Sequence, residues 1–256
     1  MDIVFVGAGR LATHLARALK NGGHRITAVY SRTMASASSL CSEVGGFATN
    51  QIEALPLEAD AFILSVKDSV LSSLIVELSK GREEQTFLHT AGSIPMAIFG
   101  SHQHGGVIYP MQTFSKEKPI DFSRVHIFIE GSDESSLTKA RAIAASVSSH
   151  VHELSSEDRR HLHLAAVFAC NFANHCYALS AKILEEHGLA FDVMLPLIEE
   201  TAQKVEVMHP RDAQTGPAIR YDENVIQAQK ALLADEPMVQ DIYDLMSKSI
   251  HTLAND

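Results

Sequence analysis

Val6-Gly7-Ala8-Gly9-Arg10-Leu11-Ala12 reads G-x-G-x-x-A. It lies between the apolar run Ile3–Val6 and an Ala- and Leu-rich segment, Leu11–Lys20. A glycine pattern alone says little, but here it directly follows a strand pattern and opens a helix pattern. In that setting each small residue has a task. Gly7 permits the tight turn, Gly9 lets the backbone approach a pyrophosphate, and Ala12 lets helix and strand pack closely. The helix start, with Arg10 and Leu11 in its first turn, offers unpaired N–H groups and a positive dipole end to phosphates. The turn therefore predicts a dinucleotide site.

The next strand, Ile26–Tyr30, selects the dinucleotide. A site for NAD carries an acid about 20 residues beyond the glycines, bound to the ribose 2′-hydroxyl. Here the strand ends Tyr30-Ser31-Arg32-Thr33, with no acid. Arg32 suits a 2′-phosphate, and Ser31 and Thr33 can donate hydrogen bonds to it. NADP is the expected cofactor. Two further strand ends face the same crevice, since ligands bind at the carboxyl ends of parallel strands. They are Ser65, Val66 and Lys67 after the strand Ala61–Val66, and Thr90, Ala91 and Gly92 after Phe87–Thr90.

Outward from these ends, strand-like runs alternate with helical ones: Met34–Val44 is helical, Val107–Tyr109 and His126–Ile129 extended, Leu137–Ser148 helical, Val151–Leu154 extended. Such alternation predicts a mostly parallel sheet covered on both faces. The texture changes at Ser155-Ser156-Glu157-Asp158, a helix-start signal. Beyond it no strand pattern is found. One long helix is expected over Glu157–His187, stopped by Gly188, then helices near Val193–Val207, Glu223–Ala234 and Pro237–Leu253. The sequence thus predicts an α/β fold: a Rossmann-type domain over 1–154 and an all-helical domain over 155–256.

The long helix carries polar groups on an apolar body. His163 can donate a proton to a carbonyl or imine, and Asn171 can orient that group. Asn174 and His175 follow. Gln112 and Thr113 after the strand ending at Tyr109, and Thr215 in a Gly/Pro-punctuated loop, are expected on the substrate side with Asn174. The apolar stretch Leu164–Leu184 reads as a buried helix, interrupted by too many polar groups for a membrane span. Its cover calls for a second copy, so a homodimer through the helical half is expected.

With 46% apolar and 20% charged residues, the chain has the composition of a packed globular protein. Thirty-one acids against 21 bases give a net charge of −10, and no local basic cluster provides a footprint for nucleic acid or an acidic membrane surface. The expected partner is a small molecule. Three cysteines, Cys41, Cys170 and Cys176, give no disulfide framework, which suits a reducing, cytoplasmic setting. No leader pattern is read at Met1-Asp2. His102/His104, His150/His152 and His161/His163 are the close histidine pairs. Only the strand pair has matching faces, and no third ligand accompanies it in sequence, so no metal site is expected.

Three segments give a resemblance that spans nearly the full chain: residues 6–12, Tyr109-Pro110-Met111-Gln112-Thr113-Phe114, and Thr215-Gly216-Pro217-Ala218-Ile219-Arg220-Tyr221-Asp222. The chain resembles Rossmann-like oxidoreductases whose C-terminal part is a domain of unknown function. That family more often has His where Tyr109 stands and Gly where Tyr221 stands. More distantly it is similar to pyrroline-5-carboxylate reductases, ketopantoate reductases, β-hydroxyacid dehydrogenases and deazaflavin-dependent NADP oxidoreductases. The resemblance implies an NADP domain, a helical domain that commonly dimerises, and a substrate cleft. Ketopantoate reductases and β-hydroxyacid dehydrogenases use a Lys followed four residues later by Asn. Asn171 matches the Asn, whereas Val167 stands at the lysine position and has no proton to give. Three readings follow: an NADP-dependent reductase of a small carbonyl or imine, an inactive NADP-binding sensor, or a deazaflavin-dependent NADP oxidoreductase.

Overall fold

Ile3 and Phe5 turn to one face of β1 (Asp2–Val6), Val4 and Val6 to the other, and all four are fully buried. A strand apolar on both faces belongs inside a sheet covered on both sides. A computed structural model, describing residues 1–115 and 118–255, places β1 within an eight-stranded sheet. The elements that follow are α1 (Arg10–Asn21), β2 (Arg25–Tyr30), α2 (Met34–Val44), β3 (Phe47–Thr49), β4 (Ala61–Leu64), α3 (Asp68–Ser79) and β5 (Phe87–His89). Then come β6 (Gly105–Pro110), β7 (Ile127–Gly131), α4 (Glu134–Ala145) and β8 (Val151–Glu153).

The strand order is β3-β2-β1-β4-β5-β6-β7-β8. Neighbours are parallel except β6 and β7, which pair antiparallel with Tyr109 opposite Phe128. The order reverses between β1 and β4, and that switch point opens a crevice at their carboxyl ends. Two apolar clusters flank the sheet. Ile3, Phe5, Ile63, Leu88 and Ile127 pack with Leu15 and Leu19 of α1, Leu40 of α2 and Ile143 of α4. Val4, Val6, Phe62, Leu64 and Phe87 pack with Leu71, Ile75 and Leu78 of α3. Each such side chain removed from water contributes about 1.5–3 kcal/mol, so both layers hold the strand ends in place.

Two compact units divide the chain at Met1–Asn171 and Phe172–Asp256. Strands do end near the expected boundary at 154, yet the next helix, α5 (Ser156–Ala166), goes with the sheet. The reason is Arg159, which is 0% exposed. Its guanidinium bonds the Glu130 carboxylate on β7, and Nη2 donates to the Ile94 carbonyl at 2.5 Å. Ser156 Oγ donates to the same carboxylate at 2.8 Å.

The helix expected over 157–187 does not keep one geometry throughout. After α5 comes a π-helical stretch, Val167–Phe172, and then α6 (Ala173–Glu186). Nor is the apolar stretch buried within one chain: Leu164 is 54% and Ile183 39% exposed, and α6 has no buried residue. The second unit continues with α7 (Leu195–Val207), α8 (Pro210–Ala213), α9 (Pro217–Arg220), α10 (Glu223–Ala231) and α11 (Pro237–Asn255). Lys182 pairs with Glu236, and Lys230 with Asp244 at 3.1 Å. Tyr221 ends α9 in the left-handed region at φ 51°, the backbone state glycine adopts without cost.

Candidate active site

Gly7 sits at the switch point with φ +116°. Its N–H donates to the Tyr30 carbonyl, while the Ser65 N–H donates to that of Val6, both at 2.8 Å. A Cβ on Gly7 would stand 2.1 Å from the Ser65 carbonyl oxygen, so no other residue fits. Gly9 is the opposite case: a Cβ there would meet nothing within 4 Å. It is exposed, with ordinary φ −77°, and it N-caps α1 with no side chain to satisfy the helix amides. No acid lies in the first turn of α1. Open space above Gly9 and free amide donors together form an anion cradle of the kind a pyrophosphate requires.

The other strand ends divide by exposure. Ser31 is half-buried and its N–H donates to the Thr49 carbonyl at 3.1 Å, holding the end of β2. Arg32 is exposed and has no ion pair among the described residues. Helices α2 and α3, like α1, begin without a side-chain cap, at Thr33 and Lys67. Ser65 and Val66 are half-buried, and Lys67 is exposed. Thr90 and Gly92 are buried against the protein's own atoms, and the Ala91 N–H donates to His89 Nδ1 at 3.2 Å.

A cavity of about 640 Å³ opens beside the fingerprint turn, built wholly by the first unit. Of the sequence-predicted residues it brings together Arg10, Leu11, Gln112, Thr113, His163 and Asn171. The π-helical stretch explains how the last two share a wall. Its wider turn rotates the chain less per residue, which draws Asn171 back toward the face that carries His163. Asn171 is exposed and lines this cavity. Gln112 Oε1 accepts from the Thr113 N–H at 2.8 Å, which fixes the turn after β6. Asn174 on α6 and Thr215 between α8 and α9 are exposed residues of the second unit and line no part of this cavity.

Sequence reasoning missed three groups. Tyr109 lines the cavity, and its Oη lies 3.0 Å from His163 Nδ1. Arg159, one helical turn before His163, is the buried charge behind them. His89, at the end of β5, is fully buried and stacks on Phe99. Burial, with the Arg159 charge second, pushes its imidazole down to about 3. The i, i+4 spacing of Arg159 and His163 was a usable signal; burial of Arg159 was not.

His126 joins His150 and His152 on the sheet edge, with His126 Nδ1 2.9 Å from His152 Nε2. Two nitrogens that share a hydrogen bond do not converge on an ion. Among the described residues no group of three or more His, Cys, Asp or Glu could hold a metal. Cys41, Cys170 and Cys176 are free. No helix of the described residues is long and apolar enough to cross a membrane.

Comparison with known proteins gives two family matches along the chain. Residues 2–91 match the family described as NADP oxidoreductase, coenzyme F420-dependent, and residues 125–250 match a domain of unknown function, DUF2520. A crystal structure described as a putative NADP oxidoreductase from Bacteroides fragilis is 50% identical, with TM-score 0.93 over 98% of each chain. A protein from Thermotoga maritima is 24% identical, TM-score 0.83, over 99% of this chain and 100% of that one. An imine reductase from Myxococcus stipitatus in complex with NADP+ shares the fold at 16% identity and TM-score 0.71, over 100% of this chain and 94% of that one. No curated protein matches.

Proposed function

The chain belongs to the NADP oxidoreductase family in which an F420-dependent-type domain precedes a domain of unknown function, and we propose that it is an NADP-dependent reductase of a small carbonyl or imine. One observation carries this reading: Arg10 and Leu11 of the fingerprint turn line the same cavity as His163 and Asn171. When bound, the cofactor supplies the hydride.

The protein's own residues bind and orient. Gly7, Gly9, Arg10 and Leu11 hold the pyrophosphate, and Ser31 and Arg32 the 2′-phosphate. His163 donates to the heteroatom of the substrate, Asn171 orients it, and Gln112 and Thr113 line the substrate side. Three free thiols suit a reducing, cytoplasmic setting. Two copies pair through the helical unit, which leaves Leu195, Leu197 and Val207 at 53%, 62% and 81% exposed.

The test is loss of NADPH absorbance with a panel of cyclic imines, ketones and aldehydes. Turnover of any member that His163→Gln lowers by about a hundredfold or more supports the reading. Val167 favours a second reading, an NADP-binding sensor, because its side chain has no proton to give. Tight NADPH binding without turnover of any panel member favours the sensor.

A further inference from the structure

Tyr109 Oη and His163 Nδ1 are 3.0 Å apart, and the two rings meet edge to face with centroids separated by 5.9 Å. Gly92 closes the same side of the imidazole: a Cβ there would stand 2.6 Å from Nδ1 and 2.9 Å from Tyr109 Cζ. His163 Nδ1 is thus walled in by a hydroxyl and a stretch of backbone. Nε2, at the ring tip, has no hydrogen-bond partner among the described residues, and His163 lines the cavity. Nε2 is the nitrogen left for a bound molecule.

A phenol–imidazole hydrogen bond has two forms. The phenol donates to a bare nitrogen, or it accepts from an N–H. Tyr109 decides between them. Its side chain is 8% exposed, and Nδ1 is the only partner of its hydroxyl among the described residues. Were Oη to accept, its own proton would have no acceptor among the described residues, whereas donation to Nδ1 satisfies it. Burial also outweighs the nearby Arg159 charge and pushes the hydroxyl above its ordinary range, so Tyr109 keeps the proton it donates.

We infer that Tyr109 is a positioning residue: its O–H donates to His163 Nδ1, holds the neutral imidazole with its proton on Nε2, and so presents an N–H rather than a lone pair to the cavity. This rests on the reductase reading and narrows its substrate. An N–H donor recognises a heteroatom with a free lone pair, such as a carbonyl oxygen or a neutral imine nitrogen, and polarises the double bond toward it. An iminium cation has no such lone pair and is not selected.

Nuclear magnetic resonance of the full chain with 15N-labelled histidine reads the tautomer directly, with His163→Gln assigning the signals. The expected result for the neutral ring is a bare Nδ1 and a protonated Nε2, converted to a mixture of tautomers by Tyr109→Phe. A protonated Nδ1 in the wild type overturns the inference, as does a Tyr109→Phe spectrum with the wild-type pattern. Should Tyr109→Phe fail to fold, the wild-type spectrum decides alone. NADPH titration of the same sample keeps the two ideas apart: absence of binding removes the reductase reading and leaves the tautomer result standing.

Discussion

Gly7 and Ser65 touch across the switch point so closely that a methyl group on the glycine would overlap the serine carbonyl, at 2.1 Å. Two glycines apart by one residue should therefore behave differently. Gly7→Ala meets both the overlap and φ +116°, and should lower folding stability by about 2 kcal/mol or more. Gly9→Ala has ordinary φ and open space, so the fold should keep its melting temperature. NADPH binding should fall in both variants. Equal melting temperatures for the two, or undiminished binding by Gly9→Ala, would contradict this account of the turn.

Acid should weaken the fold through His89. The unfolded imidazole takes up its proton near 6.5, whereas the folded one does so only at about 3. Between those values the unfolded state binds more protons, so stability rises with pH. The contribution is complete above 6.5 and is lost as pH falls toward about 3. His24 and His102, also lowered by burial, act in the same direction. Urea midpoints measured from neutral pH to about pH 5 should drop more steeply in the wild type than in His89→Gln. Parallel curves would count against a neutral, buried His89.

Arg159 is the bolt between α5 and the sheet. Arg159→Met leaves the Glu130 carboxylate and the Ile94 carbonyl without their partner, and breaking such a pair costs about 3 kcal/mol. Adding Glu130→Gln should restore part of the loss, because the unpaired charge is then gone. Additive losses in urea unfolding would show that the pair is not coupled.

Light scattering tests the pairing of chains. The exposed apolar residues of α7 predict twice the mass of one chain at micromolar concentration, and Leu197→Glu should shift it toward one chain. A single-chain mass for the wild type would remove the dimer.

How far these features were legible depends on range. The fingerprint turn is local, so residues 6–12 were enough to fix the first strand, the first helix and the crevice. The strand Phe47–Thr49 and the helix Asp68–Ser79 were not anticipated. The strand is only three residues long, whereas the helix does carry a helical rhythm, Leu71, Leu74, Ile75 and Leu78, that the reading passed over. Direction of pairing is non-local, so the antiparallel β6–β7 contact left no mark. The π-helical stretch was hidden because Val167–Phe172 has ordinary helix composition. Arg159 was passed over, since a buried charge shows only once Glu130 and the Ile94 carbonyl are in place. His163 and Asn171 were legible as polar groups on an apolar helix, whereas the Tyr109 contact joins residues 54 positions apart.

The central claim is that the turn at Gly7 and Gly9, with Arg32 at the end of β2, forms a site for NADP. Titration calorimetry of NADPH and NADH with the wild type and Arg32→Ala tests it most directly. The account predicts that NADPH binds more tightly than NADH, and that Arg32→Ala weakens NADPH about tenfold or more, or about 1.4 kcal/mol, with little change for NADH. Equal affinities that Arg32→Ala leaves unmoved would contradict the 2′-phosphate contact, and no binding of either nucleotide would contradict the site itself.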